Sequence, residues 1–548
     1  MASADSTRIR TTAELFGWSE LRPGIGEAVQ SLLDGSDVLA VFPTGYGKSA
    51  VYKVAGALLP GPTVVVSPLI ALQTDQVAGI EAEADAPDAV AINSAQSDSA
   101  NESAWEELAA GRAEYVFLSP EQLANEEVVD RLAKLGPGLF VVDEAHCVSA
   151  WGHDFRPDYL RLGAAAEAVG RPLILALTAT GSAPVREEIV DRLGMRDPVV
   201  LTRGYDRPNI RLEVVRHSEE RGQRAAVLEQ LTALPKPGLL YVATRRATEE
   251  YAEELSAAEL RAAAYHGGLG AKARRELHEA FRDDEYDVVV ATSAFGMGID
   301  KPNVRFVVHA AIPGSVDDYY QELGRAGRDG EEARATLHYR AEDLGLRRFF
   351  AGGKPDRAKL GAVHAALVAA GRTVELKALA KETGLTARRV ADVVNLLTEA
   401  GAVRAIGDGV RAVRGVTTEE AVERSVEQAA QRERIDESRV AMVRQYAETT
   451  ACRRQFLLGY FGERLEEPCG NCDTCTSGTA YEQQELTGVE DADDVPYPVE
   501  AAVRHREWGD GTVMSVEEDR ITVFFESEGY RVLSLAAVAD HDLLERVS

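Results

Sequence analysis

Val38-Leu-Ala-Val-Phe-Pro-Thr-Gly-Tyr-Gly-Lys-Ser49 passes from an apolar run, through a loop holding two glycines, into the start of a helix. A strand feeding such a loop leaves backbone N–H groups at the helix N-terminus, where they cradle phosphate. Lys48 is placed to reach the outer phosphates of a nucleoside triphosphate and Ser49 to coordinate magnesium, with Thr44, Gly45, Tyr46 and Gly47 forming the cradle. The strict pattern wants glycine where this chain has Phe42, so the loop alone is an incomplete match.

Moving outward, short apolar runs recur at Val38–Phe42, Thr63–Ser67, Tyr115–Ser119, Leu139–Asp143, Ile174–Thr178, Gly238–Val242, Asp287–Thr292 and Arg305–His309, separated by helix-length segments. Continuous apolar strands alternating with amphipathic stretches predict parallel sheets covered on both faces, here as two α/β domains with a seam near Arg203–Arg211. After Gly353 the pattern shifts. Residues 374–403, VELKALAKETGLTARRVADVVNLLTEAGAV, place Gly384 at the turn of a helix–turn–helix, and AVRAIGDGVRAV (402–413) has the tight-turn signal of a β-wing. A long polar helix over about Thr418–Thr449, a cysteine cluster, the acidic stretch QQELTGVEDADDV (483–495) and a small all-β module follow.

A length of 548 residues excludes a single core. Nothing in it reads as a membrane span or a signal peptide, which predicts a cytoplasmic protein, nucleoid-associated in a bacterial-type cell. The 89 acidic and 60 basic residues leave a net charge of −29, so any DNA contact must come from local sites rather than from an overall basic footprint.

About a hundred residues after the phosphate loop, LFVVDEAH ends a strand with Asp143 and Glu144. An acid at a strand tip holds magnesium while its neighbour orients the attacking water. In the second α/β half, QELGRAGRDG carries Arg325 and Arg328, which across a cleft would stabilise charge on the transferring phosphate. Of the five cysteines, Cys452 precedes the Cys469-x-x-Cys472-x-x-Cys475 run, a closed thiolate set that predicts one structural zinc, with an iron–sulfur cluster as the alternative.

In order, PTGYGKS, SPLIALQTDQV, FLSPEQL, DEAHCVSAWGHDFRPDYL, ALTATG, ATSAFGMGIDKP and YYQELGRAGRDG closely resemble the RecQ helicases of superfamily 2. The resemblance covers about residues 14–350 and resumes over 452–475, where CRRQFLLGYFGE…CGNCDTC is similar to the RecQ zinc-binding subdomain. It implies two tandem RecA-like domains (1–205 and 206–352) and a helical zinc-binding subdomain (417–478), to which the residue pattern adds a winged helix (353–416), an acidic linker (479–496) and a small β-barrel (497–548), Tudor-like by a second resemblance given below. It also implies an ATP-dependent DNA helicase that travels 3′ to 5′ on single-stranded and forked DNA in repair or recombination. His146 and Gln321 would join Lys48, Asp143, Glu144, Arg325 and Arg328 in the catalytic set.

FGWSELRPGIGE resembles the family's adenine motif, with Trp18 and Arg22 placed to contact the base, but the expected glutamine is Ile25. Isoleucine neither donates to nor accepts from the adenine edge, which predicts weaker discrimination among nucleoside triphosphates. Expected phosphate contacts to DNA are Ser67, Gln73, Ser119, Thr244, Arg245, Arg246 and Thr292. Cys147–Tyr159 resembles the aromatic-rich loop that couples DNA contact to hydrolysis, with Trp151, His153 and Phe155 toward bases and Arg156 toward the nucleotide. Arg453 and Arg454 either touch DNA or lie on a solvated helix face.

RecQ proteins usually carry the winged helix after the zinc module, whereas this one precedes it. It would meet duplex DNA through Arg388, Arg389, Arg404 and Arg411 or dock a protein. VRHREWGDGTVMSVEEDRITVFFESEGYRVL (503–533) resembles the C-terminal domain of UvrD/PcrA helicases, which binds RNA polymerase; the alternative is a barrel that only packs on the motor. Two further functional readings stand beside the DNA helicase: an RNA helicase, and a transcription-associated adaptor that remodels complexes without separating strands.

Overall fold

The structure is a computed structural model and describes residues 2–68, 70–83, 85–149, 157–293, 295, 301–345, 355–406, 409–482, 497–498, 501–516 and 520–547. In it, the apolar runs form two all-parallel sheets. The first contains β1 (Val38–Val41), β2 (Thr63–Val66), β3 (Asp88–Ile92), β4 (Ala113–Leu118), β5 (Leu139–Val142), β6 (Leu173–Thr178) and β7 (Val199–Thr202), in the order β3-β4-β2-β5-β6-β1-β7. The second contains β8 (Ile210–Arg216), β9 (Gly238–Tyr241), β10 (Ala262–Tyr265), β11 (Val288–Ala291), β12 (Phe306–His309) and β13 (Ala333–Tyr339), in the order β10-β11-β9-β12-β13-β8. We call the two units lobe 1 and lobe 2. Every residue of β1, β2 and β5 is buried, because crossover helices cover both faces of the sheet.

Each apolar run named above lies on one of these strands. Five strands carried no such run, and four of them (β3, β7, β8 and β10) are the outermost strands of their sheets. An outer strand is half covered and does not need a continuous apolar sequence; β7 leaves Val200 exposed, and β10 is Ala-Ala-Ala-Tyr. Seven residues, 203–209, join β7 to β8.

Beyond lobe 2, helices Arg357–Ala370, Leu376–Thr383 and Ala387–Glu399 pack around Leu360, Val363, Leu379, Val390 and Leu397. The hairpin β15 (Val403–Ile406) and β16 (Gly409–Ala412), joined by β14 (Val374–Glu375), completes a winged-helix arrangement. Helix Thr418–Glu448 starts at a capping box: Thr417 accepts from the Glu420 backbone, and the Glu420 carboxylate accepts from Thr417 N.

The C-terminal module is a five-stranded antiparallel sheet: β17 (Ala502–His505), β18 (Gly509–Val516), β19 (Arg520–Phe525), β20 (Gly529–Ser534) and β21 (Leu544–Arg546), in the order β20-β19-β18-β17-β21. One face closes over Val503, Val513, Ile521, Val523 and Phe525. Met514, Phe524 and Tyr530 instead join the core shared with Tyr446 and Tyr460, so this module packs directly onto the motor.

Candidate active site

β1, β6 and β5 lie side by side, so the phosphate loop, the ALTATG segment and the DEAH segment open from the same carboxyl edge of the sheet. That edge is where ligands bind in open α/β sheets. Lys48 Nζ donates to Phe42 O at 3.0 Å. Burial pulls its ammonium below the ordinary lysine value, while the Glu144 and Asp143 carboxylates oppose that shift. Burial, together with the adjacent Glu144, pushes the Asp143 carboxyl up to about 7 against the pull of Lys48. Ser49 opens helix Ser49–Gly56, and hydroxyl plus carboxylate oxygens form a donor set suited to magnesium.

Glu144 holds a left-handed backbone (φ 48°) in the turn that follows β5. His146 is buried, with Nδ1 3.0 Å from Thr178 Oγ1 and 3.4 Å from Glu144 Oε2. Thr178 Oγ1 donates in turn to Thr180 O at 2.7 Å. A hydrogen-bonded path therefore runs from His146 of the DEAH segment through Thr178 at the end of β6 to Thr180, with Glu144 beside His146.

Lobe 2 closes the site. Gly45 has φ +78°, and a Cβ there would stand 3.1 Å from Arg328 Cδ, so the arginine lies against the phosphate loop of the opposite lobe. Arg325 is buried beside Tyr241, and Gln321 is half-buried on helix Val316–Leu323 just before the arginine loop. On the other side of the phosphate loop, Arg22 donates to Gly45 O at 2.6 Å, and Tyr46 OH donates to Pro23 O at 3.0 Å. Trp18 stacks on Phe16 with ring centroids 5.7 Å apart and has Lys53 Nζ 5.9 Å from its ring. Ile25 is buried, its Cδ1 lying 3.9 Å from where a Gly47 Cβ would stand; it meets the loop as an apolar contact.

Ser67, Ser119, Thr244 and Thr292 follow β2, β4, β9 and β11 at the carboxyl edges of both sheets. The Ser67 hydroxyl is buried and makes no hydrogen bond among the described residues. Thr244 caps helix Arg245–Ala257 by accepting from Ala247 N, which places Arg245 in the first turn. Gln73 is corrected: fully buried, it donates to Ser67 O and accepts from Asn93, so it braces the loop from inside. Arg246 pairs with Glu250 along its own helix. Trp151, His153, Phe155 and Arg156 lie outside the described residues. Tyr159, just beyond that segment, donates to Asp143 O at 3.1 Å.

The sulfurs of Cys452, Cys469, Cys472 and Cys475 all lie within 4.8 Å of one another. Tetrahedral zinc with Zn–S near 2.3 Å places sulfurs about 3.8 Å apart, so this donor set fits one zinc ion. Asn471 N and Cys469 N point at Cys469 Sγ and Cys452 Sγ, at 3.4 and 3.3 Å, as donors that stabilise thiolates. The cluster docks on lobe 2, where Leu212 N donates to Asn471 O and Val214 N to Asp473 Oδ2. Arg453 and Arg454 are neither solvated nor free for DNA. Both are buried, Arg453 bonded to Asp473 and Tyr446 O, Arg454 to Asp206 and Ile210 O, because desolvated guanidinium groups need paired acceptors.

Residues 23–188 match the DEAD/DEAH box helicase family, 223–330 the helicase conserved C-terminal domain and 411–476 the RecQ zinc-binding family. The chain is 33% identical over 468 residues to the probable ATP-dependent DNA helicase RecS of Bacillus subtilis, covering 85% of this chain and 91% of RecS. This chain belongs to the RecQ family of superfamily 2 helicases. It is also 33% identical over 466 residues to the RecQ of Pasteurella multocida, covering 84% of this chain but 61% of that longer protein. Among solved structures, the DUF1998 helicase MrfA bound to DNA shares the fold at a TM-score of 0.52 and 17% identity, covering 76% of this chain and 63% of MrfA. Residues 501–541 match a family of unknown function, DUF3553, which lies outside the RecQ assignment.

Thr178, Tyr159 and two residues of the interlobe segment, Arg207 and Asn209, escaped the sequence reading. Only Thr178 carried a signal, as a hydroxyl ending an otherwise apolar strand. The others act through contacts more than 15 positions distant in sequence.

Proposed function

We propose that this RecQ-family enzyme hydrolyses ATP to move 3′ to 5′ along single-stranded DNA and unwinds duplex or forked DNA in repair or recombination, acting in the cytoplasm on the nucleoid. The observation that carries the reading is Arg328 of lobe 2 against Gly45 of the lobe 1 phosphate loop, which assembles one hydrolytic site from both lobes. In this reading, Thr44–Ser49 cradle the phosphates with Trp18 and Arg22 toward the base. Ser49 and Asp143 hold magnesium, Glu144 orients the attacking water, and Lys48, Gln321, Arg325 and Arg328 stabilise the developing charge. His146 ties that site to ALTATG through Thr178. Ser67, Ser119, Thr244, Arg245 and Thr292 grip the DNA backbone, with Trp151, His153, Phe155 and Arg156 as the base-facing loop. ATP binding closes the lobes, release opens them, and alternating grip produces steps.

The test is ATPase rate with and without single-stranded DNA, for wild type beside Lys48→Ala, followed by unwinding of duplexes with a 3′ or a 5′ tail. We expect DNA stimulation that the variant abolishes, and unwinding only from the 3′ tail. Unwinding only from a 5′ tail refutes the direction, and stronger stimulation by RNA than by DNA moves the RNA helicase reading ahead.

A second reading concerns residues 497–548. Met514, Phe524 and Tyr530 of this sheet pack on the motor, and edge strand β21 has no strand on its outer side among the described residues. It is a docking edge for a protein, RNA polymerase in the reading that its resemblance implies. Capture of RNA polymerase by the full chain, lost on removing 497–548, supports it; equal capture without the module removes it.

A further inference from the structure

The segment joining the lobes is Arg203-Gly-Tyr-Asp-Arg-Pro-Asn209. Its Arg207 reaches across to the turn after helix Val316–Leu323 and donates to three main-chain carbonyls there: Gly324 O at 3.1 Å, Ala326 O at 2.8 Å and Gly327 O at 3.0 Å. Asn209 Nδ2 donates to Gly327 O at 2.8 Å and Glu331 O at 2.9 Å. Gly327 has φ +55°, and a Cβ there would lie 2.5 Å from Asn209 Nδ2, so only glycine lets the amide come this close. Two linker side chains thus hold the backbone from Gly324 to Glu331. Arg325 and Arg328 stand between the held carbonyls.

A helix C-terminus leaves carbonyls without intrahelical partners, and a cation there is favourable in any protein. That general role does not account for the source of the donors. They come from the segment between β7 and β8 that joins the lobes, not from the sheet or helices of lobe 2. The linker is itself anchored: Arg454 pairs with Asp206, Tyr205 stacks on Phe461 with centroids 4.5 Å apart, and Tyr320 OH donates to Tyr205 O at 2.6 Å.

We propose that Arg207, assisted by Asn209, is a positioning residue that aims Arg325 and Arg328 from the segment joining the lobes. This rests on reading those two arginines as the groups that meet the transferring phosphate. A displacement of about 1 Å in such a group costs on the order of a hundredfold in rate, and a guanidinium fork holding three acceptors suits the task better than a point charge.

The experiment uses the full chain and compares Arg207→Gln, Arg207→Lys, Asn209→Ala, Arg325→Gln and Arg328→Gln. The readouts are DNA-stimulated kcat and KM for ATP, equilibrium binding of a fluorescent non-hydrolysable ATP analogue, and thermal melting. Arg207→Gln should lower kcat roughly 10- to 100-fold and leave analogue affinity within about threefold, with partial recovery in Arg207→Lys. Added to Arg328→Gln, it should cost less than about threefold more, because the aimed group is already gone. If Arg207→Gln melts below the assay temperature, Asn209→Ala carries the same comparison. Wild-type kcat in the linker variants beside inactive arginine variants overturns the proposal alone. Wild-type kcat in both Arg325→Gln and Arg328→Gln overturns the arginine reading and the proposal with it.

Discussion

Ile25 shows how one side chain sets a preference. It is buried against the phosphate loop where RecQ enzymes place a glutamine, and it offers the adenine edge no hydrogen bond. Ile25→Gln should raise the preference for ATP over GTP in kcat/KM about tenfold, the worth of one well-made buried hydrogen bond. Strict ATP use by the wild type would defeat the argument. Glu114 on β4 makes a different test. Burial alone pushes its carboxyl up to about 7, and one of its oxygens has no hydrogen-bond partner among the described residues. The folded state therefore holds the proton more tightly than the unfolded chain, and the stability this confers at low pH is lost as pH rises from about 4 towards 7. Solvent screening at a half-buried site limits the effect to on the order of 1 kcal/mol. Glu114→Gln should raise the melting temperature by about 1–3 °C at pH 8 and by less at pH 5. A larger gain at pH 5 would contradict the assignment.

At the level of an element, the wing carries its own contradiction. Arg404 and Arg411 are register partners across β15 and β16, and like charges facing each other on a ladder are destabilising. Arg388 and Arg389 stand exposed in the first turn of helix Ala387–Glu399, where the helix dipole disfavours cations. Four arginines in unfavourable local settings fit an element that meets a polyanion. Arg404→Glu should raise the melting temperature slightly without DNA. It should also weaken duplex binding and reduce the slope of log affinity against log salt by about one. Unchanged duplex affinity at low salt would assign the wing to protein docking instead.

Across the whole molecule, two peripheral modules brace the motor. The cysteine cluster docks on β8 and, through Arg454 and Phe461, on the interlobe segment. Stripping zinc with a chelator and a thiol reagent should therefore lower DNA-stimulated ATPase as well as stability, since structural zinc contributes on the order of 10 kcal/mol to folding. Full ATPase in metal-free protein, checked by metal analysis, would separate the two. The C-terminal sheet makes the wider bridge. Tyr530 OH lies 3.0 Å from Tyr460 OH and donates to Ser182 of lobe 1 at 3.2 Å, while Tyr460 donates to Asp317 of lobe 2. Tyr530 N donates to Ser438 on the long helix. Tyr530→Ala should cost about 3 kcal/mol in urea unfolding of the full chain. A cost below about 0.5 kcal/mol, the range of ordinary surface substitutions, would mean that this docking contributes little.

Local chemistry was enough to announce much of this protein. Most inner strands are apolar throughout, so eight strands were legible as runs, whereas inner strand β13, with Arg334, Thr336 and His338, was not; phosphate loops, DEAH acids and clustered thiols carry their chemistry within a few residues. The outer strands were not legible, because a half-covered strand such as β10, Ala262–Tyr265, needs no apolar run. Tertiary structure alone decided what depends on distant partners. It set Arg328 against Gly45, turned Arg453 and Arg454 inward, made Gln73 a brace and hung the arginine loop on Arg207. An arginine in a sequence is only a long cation. Whether it is solvated, buried in a pair or aimed across a cleft depends on which carboxylates and carbonyls the fold brings within about 3 Å of it.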